Sequence, residues 1–485
     1  MHRLLPLVVL ALGVLPLACA AESAASSSQL VPHSIASVEE LVALATRDGV
    51  AVTMKPGVYR IGPEARGSNT DLPVYDRAGK VVERAPTASL LHFSGSGSTY
   101  DLYGVIIEID TRLHLNFDGS LDKVLVSGNG NTIRGLEVID IGDTAPRGAN
   151  FRMLHVGGEN NTVEQVGIWV RGSTPYGVGN LLGKGAGHRL VPILKQTSLL
   201  VTGRAAKLLH LRVVTRSFGH GIVMQGAIDT LIRDCYVEGE MRSTDDILKE
   251  RFGPAHAIDF RSAYPPGKVT AGQMIALSED GIRAYPDAMR WGKRKTSNIT
   301  VERTIVRNMR SGFDLAVAVG AVRISDCQSI ECNEKGYSIP SHGVIERSSG
   351  DTRYGPLLSL PDRDSRDCKV DLEWVERPSA FLPTRMAEIN GIGHEIVLRP
   401  AAGAIGAEPR PIVLGESFWA DVNLFRDPNI DPQTGATRIR LTNLTGAPVR
   451  ITERAADCEI RSVGKIIEDK GKQTVIVSLP ALPAK

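Results

Sequence analysis

Short segments in which apolar and polar residues alternate recur along the middle of the chain. Each begins with a polar turn, often led by Asn, and holds two short strands separated by a charged or Gly corner. An alternation of period two is typical of a strand that buries one face. The clearest copies lie at residues 131–138, 161–168, 208–214, 229–237, 298–306 and 321–330.

The spacing of these segments predicts a solenoid. Neighbouring copies without an insertion follow one another at about 20 to 30 residues, the length of one coil. A single coil cannot bury its inner face, whereas stacked coils can, because each strand pairs in parallel with the next. Asn residues at the same corner of successive coils can hydrogen-bond along the stack. The sequence therefore predicts an all-β parallel β-helix.

The repeated pattern resembles the right-handed parallel β-helix proteins of the pectate-lyase-like superfamily, over roughly residues 50–350. The start of the chain fits this resemblance. Residues 37–45 predict a short amphipathic helix, and residues 50–61 predict a strand, a Pro-Gly turn and a second strand. Such a segment resembles the N-terminal cap and first coil of β-helix enzymes, where a cap covers the open edges of the stack. The main alternative solenoid is the leucine-rich repeat, but the chain lacks its Leu-x-x-Leu-x-Leu pattern.

Three regions are predicted along the chain. Residues 1–20 have the features of an export signal: a short polar start, an apolar stretch and a small-x-small cleavage motif. We expect a secreted or periplasmic protein, with lipid anchoring at Cys19 as the alternative and with no membrane span. Residues 21–385 form the β-helix, with insertions near 171–206 and 240–297. Residues 386–485 form terminal coils or a small β cap.

Composition narrows the function classes. The chain of 485 residues has a formal net charge of +2, too close to neutral to indicate a nucleic-acid partner. It has 49 Gly and 27 Pro but only 5% aromatic residues, which favours short strands and tight turns over helices. The five cysteines after the signal show no metal-ligand spacing and are predicted to be buried thiols: Cys235, Cys327, Cys332, Cys368 and Cys458.

Insertions that leave the coil on one face are the expected place for chemistry. The second insertion is longer than a turn and densely charged, with acids and bases side by side. Its upstream neighbour His220 stands between two glycines, which brings it close to the surface of the backbone. The Gly-His-Gly-Ile sequence is similar to one in β-helix polygalacturonases, where the His lies beside catalytic aspartates. Here the acidic pair Asp245 and Asp246 follows the motif instead of preceding it, so only His220 is carried over.

The candidate site residues come from these segments. The candidate catalytic residues are His220, Asp245, Asp246, Lys249, Glu250, His256 and Arg261. The candidate substrate-binding residues are Arg242, Arg251, Asp259, Arg283, Tyr264 and Trp291. Ordinary structural roles compete for several of them: Asp245 could cap a helix, and His256 could be a packed histidine.

Several functions suit these residues. The excess of positive charge in the second insertion favours a lyase that cleaves an acidic, uronate-containing polysaccharide by β-elimination. The carboxylates of the same segment could hold Ca²⁺. The same carboxylates would serve an inverting glycoside hydrolase. A uronate epimerase begins with the same proton removal, and a non-catalytic adhesin would use the scaffold to bind only. We expect a polysaccharide or oligosaccharide substrate and a monomer.

Overall fold

The structure is a computed structural model, and it describes residues 30–148, 150–175, 179–182, 190–263, 266–375, 385–401, 410–417 and 434–480. The predicted export signal lies outside these ranges. Strands of three parallel sheets follow one another around each coil, so the predicted all-β parallel β-helix is confirmed. No helix in the described ranges is long and apolar enough to cross a membrane.

The sheets are named A, B and C in the order in which a coil passes through them. Sheet A contains Val31–Ile35, Val50–Met54, Thr99–Asp101, Thr132–Arg134, Thr162–Glu164, Lys207–Leu209, Ile228–Arg233, Ser297–Glu302, Val319–Ser325, Val344–Thr352, Lys369–Trp374, Glu395–Pro400, Arg440–Asn443, Glu459–Ser462 and Val475–Ser478. Sheet B contains Gly57–Ile61, Val105–Asp110, Glu137–Ile141, Gly167–Val170, Arg212–Thr215, Tyr236–Gly239, Ile305–Arg307 and Gln328–Cys332. Sheet C contains Ser68–Tyr75, Val81–Phe93, Leu121–Val126, Phe151–Val156, Gln196–Val201, Ile222–Gln225, Asp280–Tyr285, Ser311–Asp314, Lys335–Ser338, Leu358–Leu360, Ala387–Ile389, Ile412–Leu414, Val449–Ile451 and Ile466–Asp469.

The remaining elements cap the stack or lie in its corners. The helix Val38–Leu44 begins at Ser37, whose hydroxyl accepts the Glu40 N–H, and it buries Leu41 and Leu44 against the first coil. The other short elements sit in loops between sheets or beside the last coils. They are the helices Gly179–Leu182, Thr244–Leu248 and Pro254–Ala257, the 3₁₀ turns Thr111–Asn116 and Met289–Trp291, and the strands Met241–Ser243, Met274–Ala276, Arg261–Ala263, Pro266–Lys268, Gly391–Ile392, Ala436–Thr437 and Ala455–Ala456.

The core of the solenoid is a stack of equivalent apolar side chains. One inward row of sheet C joins residues that pair in register from coil to coil and are at most 3% exposed. Burial of each large aliphatic or aromatic member stabilises the fold by about 1.5–3 kcal/mol. The row consists of Leu91, Val124, Leu154, Leu199, Ile222, Ile282, Phe313, Tyr337, Leu358, Ala387, Ile412 and Val449.

The expected asparagine contacts between coils are present. The Asn131 side-chain oxygen accepts the Ser98 N–H at 3.0 Å, and that of Asn161 accepts the Asn131 N–H at 2.9 Å. The Asn161 amide also donates to the carbonyls of Gly128 and Gly157. One buried side chain therefore satisfies three backbone groups at a corner where no strand partner is available.

Replacement of Asn161 by Ala is expected to lower the free energy of unfolding by about 1–3 kcal/mol, because it leaves buried backbone groups without partners. Urea unfolding followed by circular dichroism would measure the change. Asn129→Ala is the matched control, since its side chain accepts one N–H at an exposed position of the same corner. Equal losses in the two variants would contradict this role for Asn161.

Both long insertions leave the solenoid at the same corner, between sheet B and sheet C. The first runs from Val170 to Gln196 and the second from Gly239 to Asp280. Residues 196–201 and 280–285, within the predicted insertions, are buried strands of sheet C, since their apolar positions align with the core row. After residue 385 the described strands continue sheets A and C.

Candidate functional site

A group of polar and charged side chains lies on the outward face of sheet C and at its junction with the preceding corner. It is called here the polar cluster. Successive coils supply its members, because each sheet C strand with the residues directly before it contributes between one and four side chains. The polar cluster consists of Lys195, His220, Glu279, Asp280, Arg283, Tyr285, Arg310, Asp314, Glu334 and Lys335.

A row of glycines brings these side chains to the outer face. Gly221, Gly281, Gly312 and Gly336 occupy equivalent positions directly before the core row. A Cβ atom on Gly281 would lie 2.2 Å from the Val306 Cγ1 atom, so sheet B packs too closely for any larger residue. Each glycine is preceded by a polar residue at the equivalent position of its coil. These residues are His220, Asp280, Ser311 and Lys335.

Arg310 binds the carboxylates at the centre of the polar cluster. Its guanidinium lies 3.1 Å from Asp280, 3.4 Å from Glu279 and 3.6 Å from Glu334. Burial alone would raise the pKa of the Glu279 carboxyl, but Lys195, His220 and Arg310 outweigh it and lower that pKa to about 2. The pKa of Asp280 is likewise lowered, because Arg310 and Arg283 overcome the effect of its burial. Both carboxylates are therefore ionised at neutral pH.

His220 is buried and neutral beside these acids. Burial lowers its pKa to about 4, although Glu279 and Asp280 favour the charged ring. Its Nδ1 atom accepts the Asp280 backbone N–H at 3.3 Å, which places the ring proton on Nε2. The Nε2 atom lies 3.1 Å from the Tyr285 hydroxyl and 3.4 Å from the Glu279 carboxylate. His220 can therefore donate a hydrogen bond to the Tyr285 oxygen.

The rim of the polar cluster is cationic. Arg283 and Lys335 both pair with the buried carboxylate of Asp314, and the Lys335 Nζ atom lies 2.8 Å from it. Burial, reinforced by the positive charge of Arg283, lowers the pKa of the Lys335 amine to about 8. The Arg283 guanidinium also lies over the Tyr285 ring, 5.4 Å from its centroid. Arg283 thus contacts Tyr285 on one side and shares Asp314 with Lys335 on the other.

Of the sequence-predicted site residues, the structure places His220 and Arg283 in the polar cluster. The other sequence-predicted charged residues of the second insertion that form described ion pairs have their partners within that insertion. Asp246 pairs with Lys249, Arg242 with Glu250, and Asp259 with Lys268. Their pairs are local, since residues close in sequence meet on a short helix or hairpin.

The other candidates have local contacts as well. The Asp245 carboxylate accepts the Gly272 N–H, while Ser243 caps the helix Thr244–Leu248. His256 packs edge-on against the Phe260 ring, and the Arg261 guanidinium donates to the Ile258 carbonyl. Arg251 lies on an exposed turn of the same insertion. Trp291 is buried, and Tyr264 lies outside the described residues.

Within the described ranges, no three His, Cys, Asp or Glu side chains are grouped so that they could hold a metal ion. In the polar cluster, Arg310 occupies the position between carboxylates that a cation would otherwise need. Calcium binding therefore stays a prediction. The five cysteines are buried free thiols in the described core.

A pattern in the sequence marks other members of the polar cluster. A polar residue followed by Gly lies at the start of four sheet C strands or directly before it, at His220, Asp280, Ser311 and Lys335. Aligning those dipeptides places Asp280 and Lys335 in the same row as His220. Arg310 and Glu334 directly precede two members of this set and would have followed from the same alignment.

Similarity to known proteins was found among solved structures only. No protein-family model and no curated protein matches it. Solved structures that match include a PL6 alginate lyase in complex with a trisaccharide, at 12% identity and a TM-score of 0.42, covering 94% of this chain and 87% of the other. Pectate lyase Pel9A matches at 12% identity and a TM-score of 0.42, covering 74% and 78%.

Proposed function

We propose that this protein cleaves an acidic, uronate-containing polysaccharide by β-elimination at the rim of the polar cluster. The observation that carries the proposal is the pair of cations, Arg283 and Lys335, held side by side by the buried carboxylate of Asp314. A uronate carboxylate binds well to a fixed guanidinium, since the two groups match in charge and geometry. An amine held beside it is in reach of the carbon next to that carboxylate.

Elimination needs a base, a group that stabilises the developing charge and a proton for the leaving oxygen. Lys335 is the base. Its neutral amine takes the proton from C5 of the uronate, and its pKa of about 8 keeps a useful fraction neutral at mildly alkaline pH. Arg283 stabilises the negative charge that spreads onto the carboxylate. The C4–O bond then breaks as the C4–C5 double bond forms.

Tyr285 supplies the proton to the leaving oxygen. Burial and the nearby Glu279 and Asp280 raise its pKa to about 12, so its hydroxyl is protonated at working pH. Because His220 donates from Nε2 to the phenol oxygen, it stabilises the phenolate left after transfer. His220 acts on the reaction through Tyr285 and is therefore a positioning residue.

The inverting hydrolase is the weaker candidate on chemical grounds. That mechanism needs one carboxyl group that stays protonated until it reaches the glycosidic oxygen. The pKa of Glu279 is lowered by Lys195, His220 and Arg310, and that of Asp280 by Arg310 and Arg283, so neither carboxyl is suited to be that acid. A uronate epimerase would use the same base and remains the nearest chemical relative of the lyase. It would return a proton to C5 without breaking the chain.

A matched pair of substrates tests the proposal. The protein is incubated with uronate polymers and with the same polymers after chemical reduction of their carboxyl groups to alcohols. We expect the ultraviolet absorbance of an unsaturated uronate to rise only with the charged polymers. New reducing ends without that absorbance would favour the hydrolase. Binding without any chain cleavage would favour the adhesin, and an altered sugar composition would favour the epimerase.

Tyr285→Phe is expected to lower kcat by about 100-fold with little change in KM, at the lower end of the range for loss of a general acid. The ring and its contact with Arg283 are kept, so substrate binding should persist. Steady-state kinetics on the polymer that the wild-type protein cleaves would measure the effect. Tyr103→Phe is the matched control, because Tyr103 is exposed and lies outside the polar cluster. A kcat within twofold of wild type would remove Tyr285 from the mechanism.

A further inference from the structure

Solvent reaches one outward row of sheet C at a single position near the polar cluster. One outward row passes in register from coil to coil through the position of Arg283. The Arg283 side chain is 23% exposed, whereas every other member of the row between Leu125 and Glu388 is at most 3% exposed. Those members are Leu125, His155, Leu200, Val223, Asp314, Ser338, Ser359 and Glu388.

On the N-terminal side the row is covered by a strap, residues 286–296, that follows the strand Asp280–Tyr285. Trp291 of the strap is 1% exposed and packs on Leu125, Leu200 and Val223 together with Leu72 of the first hairpin. This packing removes the outward face of three preceding coils from solvent. An apolar contact of this kind is a fixed part of the fold, because opening it would expose the indole and its aliphatic neighbours.

The strap is also tied to the hairpin formed by Ser68–Tyr75 and Val81–Phe93. The Lys293 N–H donates to the Tyr75 carbonyl at 2.6 Å, and the Arg294 guanidinium lies 3.8 Å from the Tyr75 ring centroid. The Arg290 guanidinium donates to the Pro86 carbonyl. Contacts at three successive parts of the strap hold it across the face of the sheet, directly beyond Tyr285.

We propose that the site admits the end of a polysaccharide chain and releases short products from that end, a claim that rests on the proposed function. A chain running along the solenoid axis would cross successive coils about 4.8 Å apart and needs exposed positions on each of them. Here exposure in the row is confined to Arg283. The strap stops a chain on one side of the polar cluster, and on the other side the next positions of the row, Asp314, Ser338 and Ser359, are buried.

The distribution of product sizes tests this inference. A long uronate polymer that the protein cleaves is sampled at a few per cent conversion and separated by size. We expect one short unsaturated product from the first sample onward, with the remaining polymer close to its starting length and viscosity. The Lys335→Arg variant, treated identically, controls for contaminating lyases.

Two other outcomes would overturn the inference that the site acts on chain ends, and they can be told apart. A ladder of intermediate sizes with an early fall in viscosity would show cleavage inside the chain, and would leave the elimination chemistry standing. Absence of unsaturated product with every uronate polymer and oligosaccharide would remove the proposed function, and this inference with it.

Discussion

Replacing Lys335 with Arg is expected to lower kcat/KM for elimination by about 10³- to 10⁴-fold, the upper part of the range for loss of a general base. Arginine keeps the positive charge beside Asp314 and can still attract a uronate carboxylate. It cannot accept the proton from C5, because a guanidinium stays protonated in proteins. The substitution therefore separates binding from proton abstraction.

The pH dependence gives the same prediction a second readout. The wild-type kcat/KM should rise as pH increases through about 8, since the folded protein lowers the pKa of the Lys335 amine to about 8 and only the neutral amine is a base. The residual activity of the variant should lose that rise. Lys195→Arg is the matched control, because Lys195 pairs with Glu279 at 2.6 Å and has no part in the proton transfer. A Lys335→Arg variant with wild-type activity and the same pH profile would contradict the assignment.

Replacing Arg310 with Met is expected to cost about 3–5 kcal/mol of unfolding free energy, because it leaves Asp280 buried without its principal cation and removes one of the cations that face Glu279. The loss should shrink in acid, where the two carboxylates can protonate and no longer need a positive partner. Chemical denaturation at neutral and acidic pH would measure both effects. Activity should fall as well, since Asp280 and Glu279 position His220.

The matched control for Arg310 is Arg303→Met. Arg303 pairs with Asp234 through two short hydrogen bonds, but its side chain is half exposed at the outer surface of the solenoid. Exposed pairs of this kind contribute little to stability, so unfolding should change hardly at all. Equal losses in the two variants, or no loss at Arg310, would contradict the proposed role of Arg310 in the cluster.

The sequence predicted the architecture because the information for a solenoid is local and repeated. Alternation around Ile133 and Val163 marks strands with one buried face, and Asn131 and Asn161 mark equivalent corners. Each coil repeats the same pattern with small variation, so the architecture follows without knowledge of contacts between segments distant in sequence. The exact limits of the insertions were less predictable, because the strand Gln196–Val201 begins with three polar residues, Gln-Thr-Ser.

The site was only partly predictable, because its contacts depend on the register between coils. The flanking glycines indicated His220 as a site residue, and its place in a charged segment indicated Arg283. Arg310 and Lys335 lie on later coils and meet Asp280 and Asp314 only after the strands pair. The dense charge of residues 242–261 favoured that segment as the site, although its described ion pairs are local.

The stoichiometry of the cleaved bonds tests elimination at the polar cluster most directly. Unsaturated uronate ends and new reducing ends are counted in the same reaction, with the first uronate polymer that the wild-type protein cleaves. The proposed mechanism predicts one unsaturated end for each new reducing end, and loss of both in Lys335→Arg. New reducing ends with no unsaturated partner would contradict it and show that water, not proton abstraction at C5, breaks the chain.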